Sequence, residues 1–384
     1  MRGAEAVLAC LREQGVDTVF GYPGGMILPL YDALYGQTEI RQILVTHEQN
    51  AAHAADGYAR ATGRVGVCIA TSGPGATNLV TGIATAYMDS IPMVAITGQV
   101  DLEMLGRDAF QETDILDVTM PVTKHNYKVK NAADLVPIIR EAFDLARSGR
   151  PGPVLIDVPR NLFFEEVAYA EQKREERRPG KPDADFAICA AEAAAEIVNA
   201  ERPLVIVGGG VISAGASAQA IAFIEKYKLP VVHTLMGMGG IPSTHPQMLG
   251  FIGMHGAKTA NYAVGAADLV IALGSRFADR QTGNLSKFTA NRKFIHIDID
   301  PAEIDKIVGS SIGLAGDMCV ILNLLMRQAP KSDYAAWWQQ LHTWQEEFAY
   351  DYHSDALSVP WALNQVARMT AGKAYAYATD VGQH

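Results

Sequence analysis

A chain of 384 residues is longer than one hydrophobic core usually organises, so two or more domains are expected. With 49% hydrophobic and 19% charged residues it reads as a packed globular protein rather than a disordered one. A net charge of −10 with no long basic cluster argues against a nucleic-acid surface, and no uninterrupted apolar stretch reaches the about 18 residues of a membrane span. The four cysteines are scattered without a CxxC spacing, so reduced cysteines of a cytoplasmic protein are expected, with no disulfide framework or zinc site. None of the ten histidines has metal-ligand spacing, and the N-terminus shows no basic-plus-apolar signal sequence.

In chain order, residues 1–165 alternate apolar runs with helical stretches. Residues 18–21, 43–45, 65–70, 93–97 and 154–157 read as strands, a pattern that predicts a mostly parallel, doubly wound sheet. The first strand runs into Pro23-Gly24-Gly25, which is either a tight turn or a place where the backbone approaches a bound ring. The second delivers Glu48 to the start of the Ala-rich stretch THEQNAAHAADGYAR. The third runs into Thr71-Ser72-Gly73-Pro74-Gly75. A carboxylate at a strand-to-helix junction beside a glycine-rich turn is how an α/β sheet builds a polar site at its strand ends. Taken alone, Glu48 also fits an acid favoured by the helix dipole.

Residues 166–190 are charged and Pro-containing, and are read as a linker; Lys173–Arg178 is a mixed-sign, solvated run, and 178–182 breaks any regular element. A second α/β unit over 191–330 follows, with a helix at 190–199 and strands at 204–207, 231–234, 269–273 and 294–298. Gly208-Gly209-Gly210 after its first strand fits a phosphate loop or a plain turn. Residues 331–368 turn aromatic and helical, a connector, and 374–380 reads as the first strand of a further sheet. The expected fold class is thus α/β, two doubly wound, mostly parallel domains joined by a linker.

The stretches GYPGG (21–25), THEQNAAHAADGYAR and TSGPGATNLVTGIATAYMDSIPMVAITGQV resemble the thiamine-diphosphate (ThDP) enzymes, and among them the acetohydroxyacid synthase catalytic subunits. The likeness continues through FQET (110–113), TKHNY (123–127), SGRPGPVLIDVPRN (148–161), LGSRFADRQTGN (273–284) and HIDIDPAEI (296–304), and spans essentially the whole chain. It implies a pyrimidine-binding ThDP domain over 1–165, a central FAD-binding-like domain over 191–330, and over 331–384 a connector and the start of a diphosphate-binding domain. It also implies decarboxylation of pyruvate and carboligation to a second 2-oxoacid, in branched-chain amino-acid biosynthesis.

By the same resemblance, Glu48 is the carboxylate that meets the cofactor's aminopyrimidine, with Pro23, Gly24 and Gly25 beside it. Met26, where relatives carry a small residue, Phe110, Gln111 and Lys124 border the substrate, and Arg280 orients the acceptor 2-oxoacid with Asp279 beside it. Ala278 stands where relatives have a further acid, and Asp101 where many have Pro. The flavin contacts implied are Arg150, Gly208, Gly209, Gly210, Thr234, Leu235, Met236, Met254, His255, Gly274, Arg276, Asp298, Ile299, Gly316 and Asp317. Val381, Gly382, Gln383 and His384 match the first diphosphate-side contacts. The Gly-Asp-Gly…Asn segment that holds Mg²⁺ in the family is not found: Ala55-Asp56-Gly57 lies in a helical stretch and Gly316-Asp317 lacks the second Gly. The expectations are therefore ThDP, FAD and Mg²⁺ as cofactors, no metal ligand in this chain, and no turnover by this chain alone. A homodimer or higher homo-oligomer sharing its sites is expected, with a small regulatory subunit as a candidate partner. Alternatives within the same class are another FAD-containing ThDP carboligase, disfavoured by Glu48 in the case of glyoxylate carboligase, or a pyruvate oxidase. A non-catalytic flavin-binding fragment is the alternative outside it.

Overall fold

The computed structural model describes residues 1–172, 184–330, 334–350, 352, 357–375 and 377. Twelve strands form two six-stranded sheets in which every ladder is parallel. The first holds β1 (Thr18–Gly21), β2 (Arg41–Leu44), β3 (Gly66–Ala70), β4 (Met93–Gln99), β5 (His125–Lys128) and β6 (Pro153–Pro159), in the order β2-β1-β3-β4-β6-β5. The second holds β7 (Pro203–Val207), β8 (Val231–His233), β9 (Met248–Phe251), β10 (Leu269–Leu273), β11 (Lys293–Asp298) and β12 (Ile312–Ala315), in the order β12-β11-β10-β7-β8-β9.

Parallel sheets are covered on both faces, which is why the central strands read as continuous apolar runs. On one face of the first sheet, Val94, Ile96, Val154 and Ile156 pack against helices Gly3–Glu13 and Leu135–Arg147 through Leu11, Ile139 and Phe143. On the other, Cys68, Ala70 and Ala95 meet Ala51, Ala52 and Ala55 of helix Glu48–Thr62. That face is built of small residues because the backbones come close. A Cβ on Gly66 would sit 2.1 Å from the Ala55 carbonyl oxygen, and one on Gly82 2.4 Å from the Ala52 Cβ. Each fully buried Leu, Ile or Phe contributes about 1.5–3 kcal/mol. The free cysteines Cys10 and Cys68 lie in this core, and burial pushes both thiols up to about 12.

The strands expected at 43–45 and 231–234 shift by one or two residues, and those expected at 93–97 and 154–157 lengthen. Three strands, β5, β9 and β12, escape the sequence reading, and all three are sheet edges. The helix expected at 190–199 begins earlier, spanning Ala184–Asn199, inside the stretch read as linker. The charged run 173–178, the breaker at 178–182 and most of the strand expected at 374–380 lie outside the described residues. Of the connector, helix Ala335–Glu347 joins the second core, burying Trp337 and Leu341; Trp337 Nε1 donates to the Pro203 carbonyl at 3.1 Å. Helix Val359–Thr370 buries no residue. Among the described residues no helix is long and apolar enough to cross a membrane.

Candidate functional site

In the first sheet the chain lays β2 on one side of β1 and β3 on the other, so the crevice between the carboxyl ends of β1 and β3 is a topological switch point. The residues singled out around Glu48 converge there. β2 ends three residues before helix Glu48–Thr62, and His47 caps that helix, its Nδ1 accepting from the Gln49 backbone N–H at 3.1 Å. Glu48 is buried, 9% exposed, and its Oε2 accepts from Asn78 Nδ2 at 2.9 Å. A Cβ on Gly75 would lie 2.7 Å from Thr71 Cγ2 and 3.2 Å from Glu48 Oε1, and one on Gly24 would lie 2.5 Å from Thr71 Cγ2. Both glycines therefore let the turns after β1 and β3 close around the carboxylate. The Met26 N–H donates to Thr71 Oγ1 at 3.2 Å, locking the two turns together. Gly25 faces open space: among the described residues none lies within 4 Å of where its Cβ would be. Ser72, 1% exposed, has no partner for its hydroxyl, an unmet polar group in a buried place. Thr71, Ser72 and Asn78 were missed as site residues although they stand in the TSGPGATN stretch.

The other substrate-side residues are spread out. Phe110 is 80% exposed, so it is no core residue, and Gln111 beside it is exposed with φ +58°. Its carbonyl oxygen would stand 2.6 Å from a Cβ on Gly73, which itself has φ +58°. This loop thus abuts the turn next to Glu48. Lys124 does not. It immediately precedes β5, at the amino edge of the sheet, and its ammonium donates to the carbonyls of Leu145 at 2.5 Å and Ser148 at 2.6 Å. It closes the end of helix Leu135–Arg147, and burial lowers its pKa. Within one chain the fold therefore does not bring Lys124 to Glu48, because a seven-residue strand puts roughly 20 Å between the two edges.

The second sheet, counted within its unit, runs 3-2-1-4-5-6, the order of dinucleotide-binding sheets, with its switch point between β7 and β10. A cleft of about 1160 Å³ opens along its carboxyl edge. Every strand end reaches it: Gly208 after β7, Thr234 after β8, Ile252 after β9, Gly274 after β10, Asp298 closing β11 and Gly316 after β12. All the flavin-side residues expected from the sequence line this one cleft: Arg150, Gly208, Gly209, Gly210, Thr234, Leu235, Met236, Met254, His255, Gly274, Arg276, Asp279, Asp298, Ile299, Gly316 and Asp317, with Arg280 beside them. The glycine triplet is explained first by the chain itself. A Cβ on Gly208 would lie 2.1 Å from the Gly274 carbonyl oxygen, and one on Gly210 2.6 Å from the Gly274 Cα. The two loops of the switch point touch backbone to backbone, and Gly210 donates to the Gly274 carbonyl at 3.1 Å. Asp317 and Thr234 spend their side-chain oxygens on local caps, at Val320 N and Gly237 N.

The opposite wall comes from the amino edge of the first unit. Arg150 Nε donates to Ser90 Oγ at 2.7 Å, and its Nη1 reaches Glu303 across the cleft at 2.6 Å and Asp300 at 3.8 Å. Arg276 reaches back to Asp89 at 3.9 Å. Burial alone would raise the Glu303 carboxyl, but Lys306 and Arg150 hold it below the usual range; burial does raise Asp298. Asp89, Ser90 and Glu303 were missed from sequence, since nothing local marks a partner in another unit. Arg280 and Asp279 stand 3.8 Å apart with side chains 74% and 81% exposed, so Asp279 holds Arg280 only loosely. The first sheet therefore turns its amino edge to the cleft of the second sheet and its Glu48 edge away from it. Val381, Gly382, Gln383 and His384 lie outside the described residues. Among the described residues no group of three or more His, Cys, Asp or Glu side chains could hold a metal ion.

Comparison with known proteins gives one consistent picture. The family model described as "Thiamine pyrophosphate enzyme, N-terminal TPP binding domain" matches residues 1–118, and "Thiamine pyrophosphate enzyme, central domain" matches 190–325. The "Acetolactate synthase isozyme 3 large subunit" of Escherichia coli (strain K12) is 44% identical over 396 residues, covering 100% of this chain and 69% of the relative. The "Acetolactate synthase large subunit" of Parasynechococcus marenigrum is 46% identical, covering 100% of this chain and 64% of the relative. The "Probable acetolactate synthase large subunit" of Methanocaldococcus jannaschii is 50% identical over 85% of this chain and 56% of the relative. The chain spans about two thirds of the length of the curated relatives it matches, 64% and 69% for two of these.

Proposed function

The chain belongs to the acetolactate synthase large-subunit family of thiamine pyrophosphate enzymes, and we propose that it supplies the pyrimidine-side half of a ThDP site and a flavin cleft to an acetolactate synthase. The observation that carries this reading is the buried Glu48 at the switch point of the first sheet, held by Asn78 and flanked by glycines that leave open ground above it. The cradle fits a ring: an unpartnered Ser72 hydroxyl, a bare Gly25 and a carboxylate oxygen next to Gly75. Bound ThDP supplies the electron sink for decarboxylating a 2-oxoacid. Glu48 holds and exchanges a proton at the aminopyrimidine, and its bond from Asn78 fixes which oxygen faces the ring. Phe110 and Gln111 border the reacting 2-oxoacid, pyruvate first and then pyruvate or 2-oxobutyrate.

The cleft of the second sheet suits FAD, a dinucleotide, by strand order, by its closely apposed glycine loops and by the cations Arg150 and Arg276 in its lining, which would hold phosphate groups. Arg280 orients the acceptor carboxylate, for which its exposed guanidinium is free to form paired bonds. Mg²⁺ has no ligand set among the described residues, so it would be held by a part of the relatives that this chain does not span. Glu48 and the flavin cleft occupy opposite edges of the first sheet, which supports an active site completed by a second copy, as does an 80% exposed Phe110. The large-subunit names of the relatives support, within this proposal, a small regulatory subunit as partner and a cytoplasmic place in branched-chain amino-acid biosynthesis.

Calorimetry of the purified chain with FAD is expected to give one site per chain; a folded chain that takes up none overturns the cleft's assignment. Acetolactate formation from pyruvate is then assayed with ThDP, Mg²⁺ and FAD after supplying the remaining third of a relative. No product from an assembly shown to hold both cofactors overturns the activity.

A further inference from the structure

β6 ends in Asp157-Val158-Pro159 and runs on into Arg160-Asn161; Asn161 reaches the loop that carries Phe110 and Gln111 directly, and Asp157 reaches it through Gln99. Asp157 is fully buried; its Oδ1 accepts from Thr97 Oγ1 at 2.7 Å and its Oδ2 from Gln99 Nε2 at 3.0 Å. The same Gln99 amide donates to the Thr113 carbonyl at 2.9 Å, the carboxyl-side foot of the loop, and its Oε1 accepts from the Val100 N–H at 2.9 Å. Only one orientation of the amide satisfies all three partners, because a flip would set its oxygen against two acceptors and its NH₂ against a donor. At the amino-side foot, the Leu102 N–H donates to Asn161 Oδ1 at 3.1 Å, and Asn161 is itself oriented by its bond to Glu165 Oε1 at 3.0 Å. Between the feet the loop braces itself on Glu112, which accepts from Gly106 N at 2.5 Å and Ala109 N at 3.0 Å. A self-braced loop held at two feet moves as one piece, and its Gln111 carbonyl presses on Gly73 beside the Glu48 turn.

We propose that Asp157, acting through Gln99, and Asn161 are positioning residues that hold the two feet of the 102–113 loop and so fix where Phe110 and Gln111 stand. Any catalytic consequence rests on the proposed function, in which those two residues border the 2-oxoacid; the anchoring is read without activity.

The probe is trypsin cleavage after Arg107, an exposed residue inside the loop, in the 384-residue chain. Replacing both buried partners by apolar side chains, Gln99→Met with Asp157→Leu, frees the Thr113 foot without leaving a buried charge; Thr97 Oγ1 and the Val100 N–H lose partners as well, so Tm is read alongside. Loss of one net hydrogen bond makes cleavage there roughly three- to tenfold faster. Asp157→Asn keeps the wild-type rate, since its amide oxygen still accepts from Gln99 and its NH₂ donates to Thr97. Thr97→Val removes the other bond to Asp157 and lowers Tm but leaves the rate unchanged, which separates positioning from a general structural role. A folded double variant cut at the wild-type rate, or Thr97→Val cut as fast as the double variant, overturns the proposal. If the double variant does not fold, Asn161→Ala, at a partly exposed position, decides instead: faster cleavage supports the anchor and the wild-type rate overturns it. Absence of acetolactate from a fully supplied assembly would remove the functional reading and leave these rates unaffected.

Discussion

The two sheets share one design and differ in what covers their carboxyl edges. The second edge is roofed by the first unit, so strand ends, glycine loops and bridging ion pairs close around a single cleft within one chain. Among the described residues the first edge has no such roof: Glu48 sits in a compact nest with Thr71, Gly75 and Asn78, while Phe110 projects and Lys124 lies at the far edge of the same sheet. A parallel sheet places chemistry at its strand ends, but whether that chemistry forms a finished site depends on the neighbour.

The largest test of that contrast is Glu48→Gln in a supplied, active assembly. Turnover is expected to fall by about 10²–10⁴-fold, the span of general acid–base contributions, while FAD uptake is kept. Equal loss of flavin would tie the two edges together and break the comparison. Gly274→Ala should do the reverse. Its φ of +57° and a Cβ 2.5 Å from the Gly210 Cα would cost roughly 2–5 kcal/mol in strain and overpacking. Chemical denaturation should show that loss, and calorimetry weakened FAD binding, with the near-UV signal of the first unit intact.

A third test is the pH dependence of stability. Burial pushes the Asp157 carboxyl up to about 6, against bonds from Thr97 and Gln99 and the charge of Lys128 that lower it, with Asp114 adding to the rise. A carboxyl raised on folding contributes stability fully present below the unfolded value of about 4 and lost as pH climbs through the folded one. Wild type should therefore lose up to about 3 kcal/mol relative to Asp157→Asn between pH values of about 4 and about 6, and nothing further above that. A flat difference across urea melts in that window would contradict a buried, raised carboxyl. Smallest is Asp279→Asn: with both members of its ion pair exposed, stability should change by no more than about 0.5 kcal/mol. A larger drop would show that Asp279 is built into the cleft wall.

Most of the fold was legible because central parallel strands are buried on both faces and announce themselves as apolar runs, as 66–70 and 269–273 do. Edge strands do not. His125–Lys128 is polar and has no buried residue, Met248–Phe251 contains a glycine with φ +111°, and Ile312–Ala315 buries one residue of four. Most of the residues expected on the flavin side sit at or just past a strand end of the second sheet, where short motifs stand out; Arg150, ahead of β6, is the exception. What stayed hidden were partners set by tertiary approach: Glu303 meets Arg150 from 153 residues away, and Asp157 meets Gln99 from 58. Lys124 shows the limit of motif reading: a lysine inside a motif reads as a ligand for an anion, and within this chain carbonyls at a helix end satisfy it.

The amino terminus is sewn into the far end of the first unit. The Gly3 N–H donates to the Glu165 carbonyl, the Val167 N–H to the Met1 carbonyl, and Arg2 pairs with Glu166 as an isolated antiparallel bridge. Helix Gly3–Glu13 is bolted to helix Leu135–Arg147 by Glu13 and Arg140, whose two hydrogen bonds measure 2.8 and 2.7 Å. During synthesis helix Gly3–Glu13 must therefore wait for partners that emerge about 160 residues later, roughly 8–30 s at about 5–20 residues per second. Over that interval its apolar face stands open on the ribosome, a window in which chaperone shelter matters for this unit.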